Sequence, residues 1–309
     1  MVRHVIIFFA SVLTPAAVAA QQGAAPVILL GKPYPQYQQV ASAFAEEWKK
    51  STGKEPTAIA FPIDEAQQRQ IHPGRSGIVV ALGEAPAAWA IRQPTEFTLA
   101  FTMVVGPDRL KPMREQSSMK SRQMIGVSIE VPVADQLGVL RQLIPNVRRI
   151  GILTQDPAVR AEVAALRRAC EERTLQLVHT ELASSEDLPN KLDQLLWQVD
   201  LLWSVADSNV MQPQFARHII GQCASRGIPL VGLSATFVKA GAALSFERDY
   251  REIGQMLARR CLHDVASTEA SEDWWVESPP RMILSVNQRV FDQSEPPRIE
   301  GYQVQVAKY

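Results

Sequence analysis

RIGILTQDPAVRAEVAALRRACEERTLQLVH, residues 149–179, carries the pattern that decides the fold. Arg149–Thr154 is a short apolar run of strand length. Val159, Val163, Leu166 and Cys170 then fall on one helical face, and Leu175–His179 is a second short apolar run. A strand, a one-striped helix and another strand within about 30 residues make a βαβ unit. Its two strands are parallel and its crossover right-handed.

The same alternation continues in both directions. Toward the C-terminus, Leu188, Leu192, Leu195 and Leu196 mark a helix, Leu201–Val205 a strand, and Phe215, Ile219 and Cys223 a helix that Gly227 ends. Ile228–Val231 and Ala243–Phe246 are strands. A helix runs from Asp249 to about Leu262, and Met282–Val286 is the last strand. Asp273-Trp274-Trp275, ahead of Pro279-Pro280, reads as a loop, and the chain after Glu295 as a polar tail. Toward the N-terminus, Val133–Leu143 is a helix. Met124–Ser128, Phe97–Val105, Gly77–Leu82, Thr57–Phe61 and Val27–Leu30 are strands. Tyr37, Val40, Ala41, Phe44, Ala45 and Trp48 form a helical stripe closed by Gly53, and Pro86 to Ile91 a short helix. Asp64–Arg75 is polar and poorly periodic.

So many strands overfill one small open sheet, and 309 residues at about 150 per domain point to two domains. The expected fold class is α/β, with two doubly wound Rossmann-like lobes. Residues 21–128 with a C-terminal returning segment form the first lobe and residues 129–247 the second. Residues 248–309 hold the returning helix, last strand and tail, whose lobe the sequence leaves open.

Arg3, the apolar run Val5–Leu13 and the small residues Ala17-Val18-Ala19-Ala20 have the layout of a secretory signal peptide over residues 1–20, cut after Ala19 or Ala20. The uncharged stretch Val5–Ala20 is short for a membrane span of about 20 residues. With no cysteine before Cys170 there is no lipid-anchor site, so the mature protein is expected free in a periplasm. Cys170, Cys223 and Cys261 fall at apolar helix positions and are expected to be buried free thiols.

Several chemistries find no support. Apolar residues make up 46% and charged residues 21%, and 32 basic residues balance 32 acidic ones; nucleic-acid binding usually shows a basic excess, so no nucleic-acid partner is expected. No Gly-x-Gly-x-x-Gly or Walker A loop occurs, no histidine has a partner at i+4, and no Cys-x-x-Cys is present; neither a cofactor nor a metal is expected. Gly232-Leu233-Ser234-Ala235-Thr236 follows a strand like a nucleophile elbow, but Thr236 stands where the elbow needs glycine. Ser234 is better suited to hydrogen-bond a small ligand, and no catalytic residue is assigned.

Ordered stretches from residue 126 to about 288 carry a resemblance. They are Gly126-Val127-Ser128, Ile144-Pro145-Asn146 leading to Arg149–Leu153, Val199–Trp203 with Ala206–Val210, Arg226–Gly232, Phe237–Ala242, Asp249-Tyr250 with Glu252-Ile253-Gly254, and Pro280-Arg281 to Val286-Asn287. Together they resemble the ABC-transporter substrate-binding family with the type I periplasmic-binding-protein fold, some members of which bind tryptophan or tyrosine. The resemblance implies two lobes joined by three crossover strands and closing on a small amino-acid-like, or other small polar or aromatic, ligand. It also implies a monomer that delivers the ligand to a transporter permease. The alternative is the same fold reused as a periplasmic sensor or interaction subunit of a membrane complex.

The resemblance places candidate ligand residues at strand ends. In the second lobe these are Gln155, Asp207, Ser208, Ser234 and Asp249. Asp207 would pair with a ligand amine with Ser208 beside it, or else cap the following helix. Asp249 opens a helix, where capping is its other role. Ser128 lies where the chain crosses between lobes. In the first lobe the candidates are Tyr34, Glu84 and Met103; Glu84 stands where the family has a small hydroxyl residue and would repel a ligand carboxylate.

Overall fold

A helix opened by proline and closed by glycine begins the first unit. In α1, Pro35–Thr52, Pro35 stands at the start, where its missing N–H costs nothing. Gly53 ends it in the left-handed conformation (φ 72°) and donates its N–H to the Lys49 carbonyl. Val40, Ala41, Ala43, Phe44 and Trp48 are its buried face. The computed structural model describes residues 25–63, 77–118, 122–266, 273–290 and, as backbone, 303–308. The signal peptide expected at residues 1–20 and the polar segment Asp64–Arg75 lie outside the described residues.

The chain divides into two compact units, with boundaries after Ser128, Asp249 and Ser278. The helix Tyr250–Ala266 and strand Trp274–Glu277 therefore belong to the first unit, and the chain from Pro279 to the second.

The first unit holds β1 (Val27–Leu30), β2 (Thr57–Ala60), β3 (Ile78–Leu82), β4 (Thr98–Thr102) and β5 (Met124–Val127), with the short helices α2 (Glu84–Arg92) and α3 (Lys111–Gln116) between them. The returning Trp274–Glu277 lies along β5, giving an all-parallel sheet in the order Trp274–Glu277, β5, β4, β3, β1, β2. Every residue of β3 is buried, as a central strand covered on both faces requires. The helix Tyr250–Ala266 packs on α1, and Gly254 makes the approach close: a Cβ there would run into the Val40 carbonyl.

In the second unit come α4 (Val133–Leu143), β6 (Arg149–Thr154), α5 (Arg160–Glu171), β7 (Gln176–Glu181), α6 (Leu188–Leu196), β8 (Leu201–Trp203), α7 (Pro213–Arg226), β9 (Leu230–Gly232), α8 (Ala235–Lys239) and β10 (Leu244–Arg248). The helix Tyr250–Ala266, α9, and the strand Trp274–Glu277, β11, follow, then β12 (Arg281–Val286) and β13 (Gln303–Lys308). The sheet runs β13-β12-β10-β9-β8-β6-β7. Its pairs are parallel except β10 with β12. Ile150, Ile152, Leu201 and Trp203 enter one apolar cluster, while their neighbours Leu153 and Leu202 enter another across the sheet. Two covered faces explain the unbroken apolar runs of β6 and β8.

Two expectations from the sequence are corrected. Asp273-Trp274-Trp275 is not a loop: Trp274 and Trp275 begin β11, in register with Met124 and Ile125. Nor is Met282–Val286 the last strand and the rest a tail, since β13 pairs in parallel with β12. Both strands sit at sheet edges, where period and apolarity are weakest and flanking prolines dominate the reading. Each indole of β11 is covered by a cation: the Lys111 Nζ lies 5.2 Å from the ring centroid of Trp274, and the Arg260 guanidinium 4.5 Å from that of Trp275.

Candidate functional site

Parallel strands deliver their loops to one edge of the sheet, and in the first unit those loops border a cavity of about 540 Å³. Gly31, Gly83 and Met103 come from the carboxyl ends of β1, β3 and β4. Tyr37 of α1 and Glu84 and Arg92 of α2 continue its wall. Lys32, Val105 and Met113 add one cation and two apolar side chains. The volume is that of an ordinary small-molecule site.

The local backbone explains the opening. Gly83 takes φ 109° and leads directly into α2 without a side-chain cap, and a Cβ there would stand 3.3 Å from the Tyr37 ring. Met103 is one of two described non-glycine residues with positive φ (60°), a conformation costing about 1–3 kcal/mol that persists where the surroundings impose it. Tyr37 meets Tyr34 edge to face at 6.3 Å. Burial, with the neighbouring Tyr34, pushes the Tyr37 phenol above its ordinary pKa, so it stays a neutral hydrogen-bonding group at physiological pH.

Of the expected first-unit residues, Glu84 and Met103 line the cavity and Tyr34 does not. Tyr34 stands at the N-cap of α1, exposed, with Lys32 Nζ 5.7 Å from its ring centroid. Ser128 is buried, and its N–H donates to the Glu277 carbonyl at 2.8 Å. Lys32, Tyr37, Arg92 and Met113 were not singled out in the sequence. Tyr37 sits on the helical stripe and reads as core, and nothing in the spacing marks Arg92 or Met113 as neighbours of a strand end.

The strand-end loops of the second unit are built differently. Asp207 is fully buried, and its carboxylate accepts four backbone N–H bonds. Gln155 and Asp156 donate to Oδ2 at 2.6 and 2.7 Å, and Asn209 and Val210 to Oδ1 at 2.9 and 3.1 Å. Burial alone would raise its pKa, but the four donors outweigh burial and hold it below the ordinary aspartate range. Asp207 does not cap the next helix, which begins at Pro213 with Gln212 at its N-cap; its carboxylate closes the turn that follows it and ties that turn to the loop after β6.

Gln155 uses its side-chain carbonyl to accept from Ser185 Oγ at 3.0 Å. Ser208 is exposed. Ser234 is the N-cap of α8 but makes no side-chain cap bond; Glu247 does so, its Oε2 accepting the Ala235 N–H at 2.5 Å. Asp249 accepts from Arg281 Nη1 at 3.4 Å. Glu162 of α5 is a further acid beside these loops. Burial raises its pKa, the Ala206 N–H lowers it and nearby Glu130 raises it, with a net upward shift. Its position one residue before the apolar Val163 is the only sequence signal that could have found it.

His179 shares a hydrogen bond of 2.7 Å between Nε2 and Thr154 Oγ1, and burial, then Arg167, lowers its pKa against the pull of Glu181. All three cysteines are free and buried, and burial pushes Cys170 to about 11 and Cys223 to about 12. Thiols so protonated are poor nucleophiles. Among the described residues no group of three or more His, Cys, Asp or Glu side chains could hold a metal ion.

A loop-lined cavity at the carboxyl ends of parallel strands is the geometry of ligand capture, and comparison with known proteins agrees. Residues 65–294 match the family model of the ABC transporter substrate binding protein. The chain belongs to that family. Solved structures show the fold of this substrate-binding protein to be that of type I periplasmic binding proteins. The ligand-free, open structure of a substrate binding protein with adhesive properties from Clostridium difficile superposes with a TM-score of 0.74 at 16% identity, covering 93% of this chain and 100% of that one. The ABC domain in complex with L-Trp from Streptococcus pneumonia gives 0.62 at 15% identity, over 87% and 93%. A glucose-galactose binding protein from Geobacillus stearothermophilus gives 0.53 at 13%, over 81% and 94%. No curated protein matches the chain. No helix among the described residues is long and apolar enough to cross a membrane.

Proposed function

We propose that this substrate-binding protein captures a small amino-acid-like, or other small polar or aromatic, molecule outside the cytoplasm and, as a monomer freed of its signal peptide, hands it to the permease of an ABC importer. The observation that carries this reading is the first-unit cavity, which combines aromatic and thioether surface with cations and an acid. Tyr37 and Met103 offer an apolar platform, Lys32 and Arg92 suit an anionic group, and Glu84 suits a cationic or hydroxyl group. Binding needs only this complementarity, and no nucleophile or acid–base pair is assigned.

Native mass spectrometry of the exported protein, purified without refolding, tests the reading. A released small molecule of defined mass, which on re-addition at 100 times Kd stabilises the fold by about 2.7 kcal/mol, supports it. Protein that carries nothing and gives no thermal shift with amino acids, peptides, purines or sugars would overturn it.

A further inference from the structure

The chain passes between its two units three times, after Ser128, Asp249 and Ser278, and one buried residue of the second unit, next to the second passage, bonds with its side chain beside the other two. Arg248 is 1% exposed and heads the largest fully buried side chains. Its Nε and Nη2 donate to the Glu130 carbonyl at 3.1 and 3.0 Å. Its Nη1 donates to the carbonyls of Pro279, at 2.8 Å, and Arg281, at 3.3 Å. Arg248 itself stands one residue before the second passage. Each of these residues lies within three positions of a boundary.

We infer that Arg248 is a positioning residue that locks the second-unit ends of all three connections into one joint. A planar guanidinium with five donors can hold several carbonyls in fixed directions, which a lysine ammonium cannot reproduce. Arg281 adds a second tie, from its own side chain to Asp249. On the first-unit side, Ser128 N–H donates to the Glu277 carbonyl, joining the first and third connections there. The boundary bonds at 128–129, 249–250 and 278–279 all lie on the first-unit side of this joint. Three connections that bend at matched points allow one hinge motion; three that bend independently allow many. Arg248 thus restricts the units to a single swing, which limits the conformational entropy that ligand capture must overcome.

The test uses ligand-free protein, so it is decided whether or not the ligand proposed above is found. Hydrogen exchange of the wild type in sub-denaturing urea should show peptides covering 129–132, 247–250 and 279–283 opening with one common urea dependence. In Arg248→Lys the three should exchange faster together, by about ten- to a hundredfold, while β3 and β6 are unchanged. Spin labels on Lys54→Cys and Gln198→Cys, with the native thiols buried, should give a broader distance distribution in Arg248→Lys than in wild type. Segments that open separately in the wild type overturn the inference. So does a variant in which only 247–250 changes, or whose distance distribution keeps the wild-type width. If Arg248→Lys does not fold, the wild-type exchange experiment decides alone.

Discussion

The two units meet the same topological problem with opposite solutions. In both, parallel strands end in loops at one sheet edge. In the second unit those loops are cross-braced from within: Asp207 gathers four backbone N–H groups, Glu247 caps α8, and Gln155 is held by Ser185. In the first unit Gly31, Gly83 and Met103 leave a cavity whose charged side chains face it. A carboxylate engaged by the chain stiffens it, whereas a strand end left without such a brace has room for another molecule. The contrast directs the search for ligand contacts to the first unit.

Removing the strongest brace should have the largest effect. Asp207→Ala leaves four N–H groups without their acceptor and should cost at least about 3 kcal/mol in urea unfolding. An equally stable variant would show that the loops of the second unit do not depend on it. The same brace sets an acid limit. The folded pKa of Asp207 lies below its unfolded value, so its contribution is fully present above the unfolded pKa of about 3.9 and is lost as pH falls through the lower folded value. Asp200, which accepts from the Arg148 and Arg149 N–H groups and the Arg149 side chain, is shifted the same way and adds to that loss. Urea midpoints measured from pH 6 to pH 2 should therefore fall in the acid range, and Asp207→Asn should flatten that fall.

Smaller effects sharpen the comparison. Glu247→Ala removes the cap of α8 and should cost about 1 kcal/mol in thermal unfolding, with Ser234→Ala costing less because its hydroxyl makes no cap bond. Met103→Gly relieves a positive φ and should leave the fold unchanged or more stable by up to about 1 kcal/mol, while weakening any ligand-induced thermal shift. Lys32→Ala should change stability by no more than about 0.5 kcal/mol, yet reduce ligand binding. A loss of stability there, with binding intact, would mean that the cavity is structural.

Much of the fold was legible because period and apolarity report burial directly. Val27–Leu30, Val133–Leu143 and Arg149–Thr154 have the limits read from their patterns. The misses share a cause. β11 and β13 are edge strands, identified by what they pair with rather than by their own pattern: β11 pairs with β5, about 150 residues earlier, and β13 with the preceding β12. The site was legible only where it coincides with a strand end. Glu84 and Met103 line the cavity, whereas Tyr37, Arg92 and Met113 reach it from helices whose rotation and docking no local pattern records.

The order of most strands and helices, the parallel α/β class and the lack of any catalytic or metal-binding motif follow from the sequence alone, because spacing and side-chain chemistry are local properties. Tertiary structure decided the rest. It turned Asp207 into a brace for two loops, gave the cap of α8 to Glu247 rather than Ser234, and tied Arg248, beside the second connection, to the other two. Each of these depends on which distant backbone groups a buried charge must satisfy, and that is set only when the chain closes on itself.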